Sequence, residues 1–169
     1  MNTEHKIVIS DVLECLKKIP DESIQLIVAD PPYNIDIADW DYCDDYIEWA
    51  AQWIYEAYRV LKKTGNIVIF GGFQFENRKR ADLLELVHYI RNNTEFKLVN
   101  VIIWYYKNGI TARRFYANRH EEIMWFAKSK KYIFNLDEVR IKYDDETLEL
   151  YKKDKRLKLE SLLKGKNPT

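Results

Sequence analysis

The sequence predicts an α/β fold, a mostly parallel sheet with helices on both faces, and three observations lead there. Short apolar runs alternate with stretches of helical period. The run 25–29 stops on two prolines, at Asp30-Pro31-Pro32. Gly65 and the pair Gly71-Gly72 punctuate the runs that follow. With 169 residues, 47% of them hydrophobic, the chain can bury one substantial core and leaves little room for a second. One domain is expected.

Taken in order, Lys6-Ile7-Val8-Ile9 reads as a first short strand. Ser10 or Asp11 then stands where a helix N-cap belongs, and Glu14, three residues after Asp11, completes a capping-box pattern. Val12, Leu13 and Leu16 form the inward stripe of this helix, which Pro20 and Asp21 break. Gln25-Leu26-Ile27-Val28-Ala29 reads as a buried strand, giving a strand, helix, strand unit. Over 45–61, Tyr46, Trp49, Ala50, Trp53, Ile54, Ala57, Val60 and Leu61 recur at helical spacing. Lys62 and Lys63 suit the C-terminal end of that dipole, and Gly65 supplies the stop before a strand over 66–70. A second amphipathic helix is predicted over 78–91, with Ala81, Leu84 and Val87 inward, then strands over 97–106 and 122–127. The stretch 144–163 is helix-prone but heavily charged in its middle, which fits a peripheral, solvated helix.

Composition removes several classes of function. No apolar run approaches the ~20 residues that span a bilayer, and the N-terminus lacks the form of a signal peptide, so a cytoplasmic protein is expected. Cys15 and Cys43 are the only cysteines and lack ligand-like spacing, so neither a disulfide framework nor a metal site is expected. The net charge is zero, so any nucleic-acid surface must arise from local segregation of charge. Such segregation exists: 107–131 holds Arg113, Arg114, Arg119, Lys128, Lys130 and Lys131, whereas 36–56 is mainly acidic.

The most informative segment is Asp30-Pro31-Pro32-Tyr33, because open α/β sheets bind ligands at the carboxyl ends of strands and this tetrapeptide follows one directly. Two prolines fix two φ angles, remove two donors and bias Asp30 away from helix, leaving a stiff loop rich in acceptors. That chemistry suits an exocyclic amine on a nucleobase, whose lone pair is delocalised into the ring. If the Asp30 carboxylate takes one amine hydrogen and the Pro31 carbonyl the other, the nitrogen can rehybridise and aim its lone pair at an incoming methyl group. Tyr33 could stack on the base, which must first leave its duplex.

These residues resemble the amino-methyltransferases of DNA, whose motif is Asp/Asn/Ser-Pro-Pro followed by an aromatic residue. The resemblance runs from the Asp11 turn through Asp30-Pro31-Pro32-Tyr33-Asn34, Trp40-Asp41 and Asn118-Arg119-His120-Glu121 to Lys128-Ser129-Lys130 and Phe134-Asn135. It looks like the arrangement in which the catalytic motif comes first and the cofactor glycines last. What the resemblance implies is a Rossmann-like methyltransferase sheet. S-adenosylmethionine would be the methyl donor, held in part by Asp11, Val12 and Asp30, and double-stranded DNA the partner. The target would be adenine N6, with cytosine N4 as the alternative. Residues 1–136 would form the catalytic region and 137–169 the start of a target-recognition region.

No Gly-x-Gly occurs anywhere in the sequence. The C-terminal strands and glycine loop of the full fold are therefore expected to be missing, to be supplied by a further segment or a second chain. A non-catalytic DNA-binding remnant or subunit is the other reading. Several residues keep two readings. Asp11 caps a helix, contacts cofactor, or both; Trp40 closes over a flipped base or packs beneath a loop. Arg113, Arg114, Asn118 and Arg119 contact DNA or belong to a solvated loop. For His120 no acid-base partner is identifiable, and Glu121 reads as one half of a structural ion pair with a nearby cation.

Overall fold

A computed structural model describes residues 3–73, 81–107, 113–114 and 116–153. The chain forms two compact units, divided after Ile133. The first carries four strands, β1 (Ile24–Ala29), β2 (Leu61–Gly71), β3 (Lys97–Tyr105) and β4 (His120–Ala127), and three helices, α1 (Val12–Leu16), α2 (Tyr46–Val60) and α3 (Leu83–Asn93). The strands form one sheet in the order β1-β2-β4-β3. β1 and β2 are parallel, but β2 with β4 and β4 with β3 are antiparallel. The α/β class stands, and the expectation of a mostly parallel sheet is corrected to a mixed one. An apolar run looks the same in either direction, so only the connection between β3 and β4 decides it.

Sheet register sorts the residues onto two faces. Ile27 pairs with Ile67, which pairs with Phe126, and Ile69 pairs with Met124. These line the face that packs against Ala50, Trp53, Ile54 and Ala57 of α2 and Leu86 and Ile90 of α3. Ile54, Ile67, Leu86, Ile90 and Phe126 are fully buried, and each side chain so removed from water stabilises the fold by roughly 1.5–3 kcal/mol. On the opposite face Leu26 and Val28 of β1, and Ile102 and Trp104 of β3, remain largely exposed. Among the described residues of this unit the helices therefore cover one face, where two covered faces were anticipated.

α2 follows the sequence reading closely, with Asp45 at its N-cap and Val60 as its last residue. Near its C-terminal end Arg59 anchors the α1 turn: its guanidinium donates to the Leu16 and Ile19 carbonyls at 2.9 Å and pairs with Glu56 and Asp21. Lys128, anticipated in the basic surface, turns inward instead. Its Nζ donates to the Leu61 carbonyl at 2.6 Å and sits over the Tyr58 ring. That placement satisfies a C-terminal carbonyl and suits the helix dipole.

Three further expectations are revised. Lys6-Ile7-Val8-Ile9 forms no strand, and Ile7 and Ile9 are exposed because no described strand lies beside them to complete a ladder. β2 begins at Leu61, not after Gly65. The register between β1 and β2 slips between Ile24 and Leu26, and a Cβ on Gly65 would lie 2.9 Å from the Lys62 carbonyl and 3.2 Å from that of Gln25. Gly65 thus permits a close backbone approach at an irregularity in the sheet. α3 starts at Leu83, capped by Asp82, whereas 78–80 of the anticipated helix lie outside the described residues.

The second unit holds α4 (Leu136–Val139) and α5 (Asp145–Lys153), neither with a buried residue. The Asp144 carboxylate accepts from the Thr147 N–H at 2.7 Å and starts α5, and Tyr143 meets Tyr151 edge-on. The charged stretch beyond Lys153 lies outside the described residues.

Candidate active site

Asp30 follows the last residue of β1, at the carboxyl end of the parallel pair, and the chain then runs through Pro31, Pro32 and Tyr33 into a turn. Asn34 and Asp36 adopt φ of 57° and 66°, in the left-handed region that costs non-glycine residues about 1 kcal/mol each. A buried carboxylate holds them there. Asp41 Oδ1 accepts from the Asn34 N–H at 3.0 Å, and Oδ2 accepts from Ile35 at 3.0 Å and Ile37 at 3.4 Å. The Asn34 side chain donates to the Ala81 carbonyl at 3.1 Å and accepts from the Cys43 N–H at 3.0 Å. The Tyr46 hydroxyl donates to the Pro32 carbonyl at 3.0 Å. Burial first, then the charges of Asp41 and Asp82, push the Tyr46 phenol well above its ordinary range, so it stays a donor. The Pro32 carbonyl accepts that bond, while Asp30 and Pro31 lie beside it on the same loop.

Two clefts share the loop as a common wall. One, of about 350 Å³, is lined by Val12 and Leu16 of α1, Trp49, Trp53 and Ala57 of α2, and Asp30-Pro31-Pro32. It is almost wholly apolar, with one carboxylate at its edge. The other, of about 550 Å³, is lined by Asp30-Pro31-Pro32-Tyr33, Ile35, Ile37, Trp40, Asp41 and Glu121. It offers aromatic surface, aliphatic surface and carboxylates together. Asp30, Pro31 and Pro32 thus stand between an apolar cavity and a mixed one.

The residues singled out from sequence distribute as follows. Val12 and Asp30 share the apolar cleft. Asp11 is the N-cap of α1, with Oδ1 accepting from Leu13 and Glu14 at 2.9 and 3.2 Å. Trp40, on a one-turn helix over Asp39–Asp41, is exposed and lines the second cleft. Arg113, Arg114, Asn118 and Arg119 are exposed and line neither cleft. Arg119 donates to the Lys107 carbonyl at 3.3 Å, which leaves Arg113 and Arg114 as the more open pair of cations.

Four site residues escape a reading of the sequence or are misread by it. Asp41 and Asn34 are visible as letters of a motif, but nothing local shows that one carboxylate collects three N–H groups. Tyr46 looks like a core position of α2 and no more. Glu121 reads as half of an ion pair, yet the partner found is the Tyr33 hydroxyl, which donates to Oε2 at 3.5 Å. Burial, the charges of Asp30 and Glu121, and hydrogen bonds to both carboxylates raise Tyr33 far above the ordinary tyrosine range. His120, for which the sequence identifies no partner, pairs through Nε2 with the buried Glu122 at 3.0 Å. Among the described residues no group of three or more metal-ligating side chains occurs, and no helix is long and apolar enough to cross a membrane.

This geometry has counterparts. A family of DNA methylases that act as N6 and N4 methyltransferases matches residues 24–167. The chain is 34% identical over 145 residues to the type II methyltransferase M.HpaI of Haemophilus parainfluenzae, covering 82% of this chain and 44% of that protein. It is 36% identical over 148 residues to the DNA adenine methyltransferase YhdJ of Escherichia coli K12, covering 83% and 47%. Among solved structures, the cytosine-N4-specific PvuII DNA methyltransferase superposes with a TM-score of 0.65 at 19% identity, over 78% of this chain and 51% of that one. A DNA modification methylase of Thermus thermophilus complexed with S-adenosyl-L-methionine superposes with a TM-score of 0.54 at 22% identity, over 92% and 63%. At these identities the superpositions establish the fold. The chain spans about half the length of the curated relatives it matches. With matches at 33–36% identity over most of its length and the family spanning 24–167, the chain belongs to the N6/N4 DNA methylases.

Proposed function

We propose that this chain carries the transfer site of a cytoplasmic DNA methyltransferase that moves a methyl group to N6 of an adenine flipped out of double-stranded DNA. The observation that carries the reading is the shared loop: Asp30-Pro31-Pro32 lines two clefts, so ligands seated in them would lie beside the same acceptors. The larger cleft suits the base, with Tyr33 and Trp40 as stacking surfaces. The apolar cleft fits one wall of a site for S-adenosylmethionine: Val12, Trp49 and Trp53 offer apolar surface and Asp30 a negative charge for a sulfonium. When bound, that cofactor supplies an electrophilic methyl group.

The chain's own residues prepare the nucleophile. Asp30 accepts one amine hydrogen and the Pro31 carbonyl the other, which draws the lone pair out of conjugation and fixes its direction. The proton that the nitrogen must shed is the one hydrogen-bonded to Asp30, whose carboxylate would receive it. The clamp of Asp41, Asn34 and Tyr46 keeps both acceptors in place without reorganisation. Adenine is favoured over cytosine by the aspartate form of the motif and by the relative named as an adenine methyltransferase. The Gly-x-Gly loop that this sequence lacks is assigned to a further polypeptide segment.

The test is methyl transfer from labelled S-adenosylmethionine to unmethylated DNA, by the chain alone and complemented with the portion of YhdJ that it does not match. Digested DNA is analysed for N6-methyldeoxyadenosine and N4-methyldeoxycytidine. The expected product is the adenine derivative, and Asp30→Ala abolishes it while leaving DNA retention in a gel shift largely intact. Mutant activity within about tenfold of the parent would remove Asp30 from the chemistry. The cytosine product would replace the adenine reading.

A further inference from the structure

Glu121 has no part in the transfer described so far. It lies on β4 opposite Trp104 of β3, on the sheet face away from the helices, and closes the base cleft on the side facing Tyr33. Its Oε2 receives the Tyr33 hydroxyl at 3.5 Å, a long bond that biases a hydroxyl more than it locks it. The same hydroxyl also interacts with the Asp30 carboxylate. A phenol has one proton to donate, so the two carboxylates compete for it. Burial and both carboxylates favour the protonated phenol, so the hydroxyl has a proton to donate.

The outcome matters for chemistry. A hydroxyl resting on Asp30 occupies lone pairs that the exocyclic amine needs, and one resting on Glu121 does not. We propose that Glu121 is a positioning residue, which takes the Tyr33 hydroxyl and so leaves the Asp30 carboxylate open to the amine of the flipped base. The inference rests on the transfer reading above and adds to it a second carboxylate with a distinct task. Glu121 touches no reacting atom in this role; it acts through Tyr33.

Two measurements test it, one of which needs neither cofactor nor DNA. In protein labelled at tyrosine ¹³Cζ, the Tyr33 resonance is assigned by its loss in Tyr33→Phe, and its chemical shift at neutral pH is compared in the parent, Glu121→Ala and Asp30→Ala. Glu121→Ala moves the resonance more than Asp30→Ala does, because the hydroxyl of the parent rests on Glu121. The second measurement is methyl transfer in the complemented enzyme. Glu121→Ala lowers turnover about tenfold with little change in KM, the size of one misdirected hydrogen bond. Adding Tyr33→Phe, which keeps the ring but removes the competing hydroxyl, brings the double variant back to the level of Tyr33→Phe alone. A merely structural glutamate would show no such suppression. Parent enzyme without any transfer overturns the reading on which the inference stands. Parent transfer together with a Tyr33 resonance that Glu121→Ala leaves unmoved, or with a Glu121→Ala loss that persists in the double variant, overturns the inference alone.

Discussion

One buried carboxylate, Asp41, holds the loop that follows β1 in shape. It satisfies three backbone N–H groups and keeps Asn34 and Asp36 in left-handed conformations that neither would choose alone. Truncation by Asp41→Ala strands those donors, and each unsatisfied buried group costs roughly 1–3 kcal/mol. A loss of about 3 kcal/mol in urea unfolding is expected, with Asp41→Asn, which keeps one acceptor oxygen, falling between. A loss below about 0.5 kcal/mol would mean that the loop is held by Asn34 and Tyr46 instead. Charge at the residue scale is narrower than the sequence suggested. Lys128 is turned inward and Arg119 is engaged by a carbonyl, whereas Arg113 and Arg114, like Lys130 and Lys131, are exposed; we propose that the two arginines reach phosphates. Neutralising both should weaken DNA binding by the complemented protein and reduce its salt slope by about two, roughly one unit per lost phosphate contact. An unchanged slope would return both to the solvated surface.

Among the elements, α3 shows how local chemistry sets a boundary. Asp82 accepts from the Leu84 N–H at 2.7 Å, and Glu85 Oε2 accepts from the Asp82 N–H at 3.1 Å, a reciprocal capping box. Asp82→Ala should cost about 1 kcal/mol. The Glu85 carboxyl is held below its ordinary range, by a side-chain hydrogen bond with Asp82 first and the Asp82 backbone N–H after it. A depressed folded value stabilises the charged form. That contribution is therefore complete above the unfolded glutamate range near ~4.3 and lost as pH falls through the lower folded value. In parallel pH titrations of stability, the gap between parent and Glu85→Ala should close as pH drops below about 4. A gap constant down to about pH 3 would show that the glutamate stabilises α3 by packing and not by its charge.

At the scale of the molecule, the sheet is covered by helices on one face among the described residues, and the apolar cleft beside β1 is bordered by α1, α2 and the Asp30-Pro31-Pro32 loop. The sequence holds no Gly-x-Gly, the pattern that lets backbone N–H groups approach a nucleoside closely after a strand. Isothermal titration of residues 1–169 with S-adenosylmethionine should show weak binding or none, and complementation by the portion of a relative that this chain does not match should restore it. Micromolar affinity of the uncomplemented chain, lost in Asp30→Ala, would show that the apolar cleft is a complete cofactor site without that loop.

What the sequence by itself determined was whatever a few neighbouring residues can dictate. Two prolines stiffen the turn after β1 whatever surrounds it, a stripe of apolar residues at helical spacing makes α2 in almost any context, and Asp11 caps α1 through N–H groups two and three residues away. The Asp30-Pro31-Pro32-Tyr33 segment stood out for the same reason, because it is four consecutive residues directly after a strand. Only the tertiary structure decided the rest. Strand direction turns on how β3 and β4 are joined, which an apolar run does not encode, and Gly65 reads as a helix stop until a neighbouring strand approaches it. Asp41 became a clamp once the chain curled back over it. Glu121 met Tyr33 across 88 positions of sequence, a separation at which no local pattern carries information about which side chains will touch.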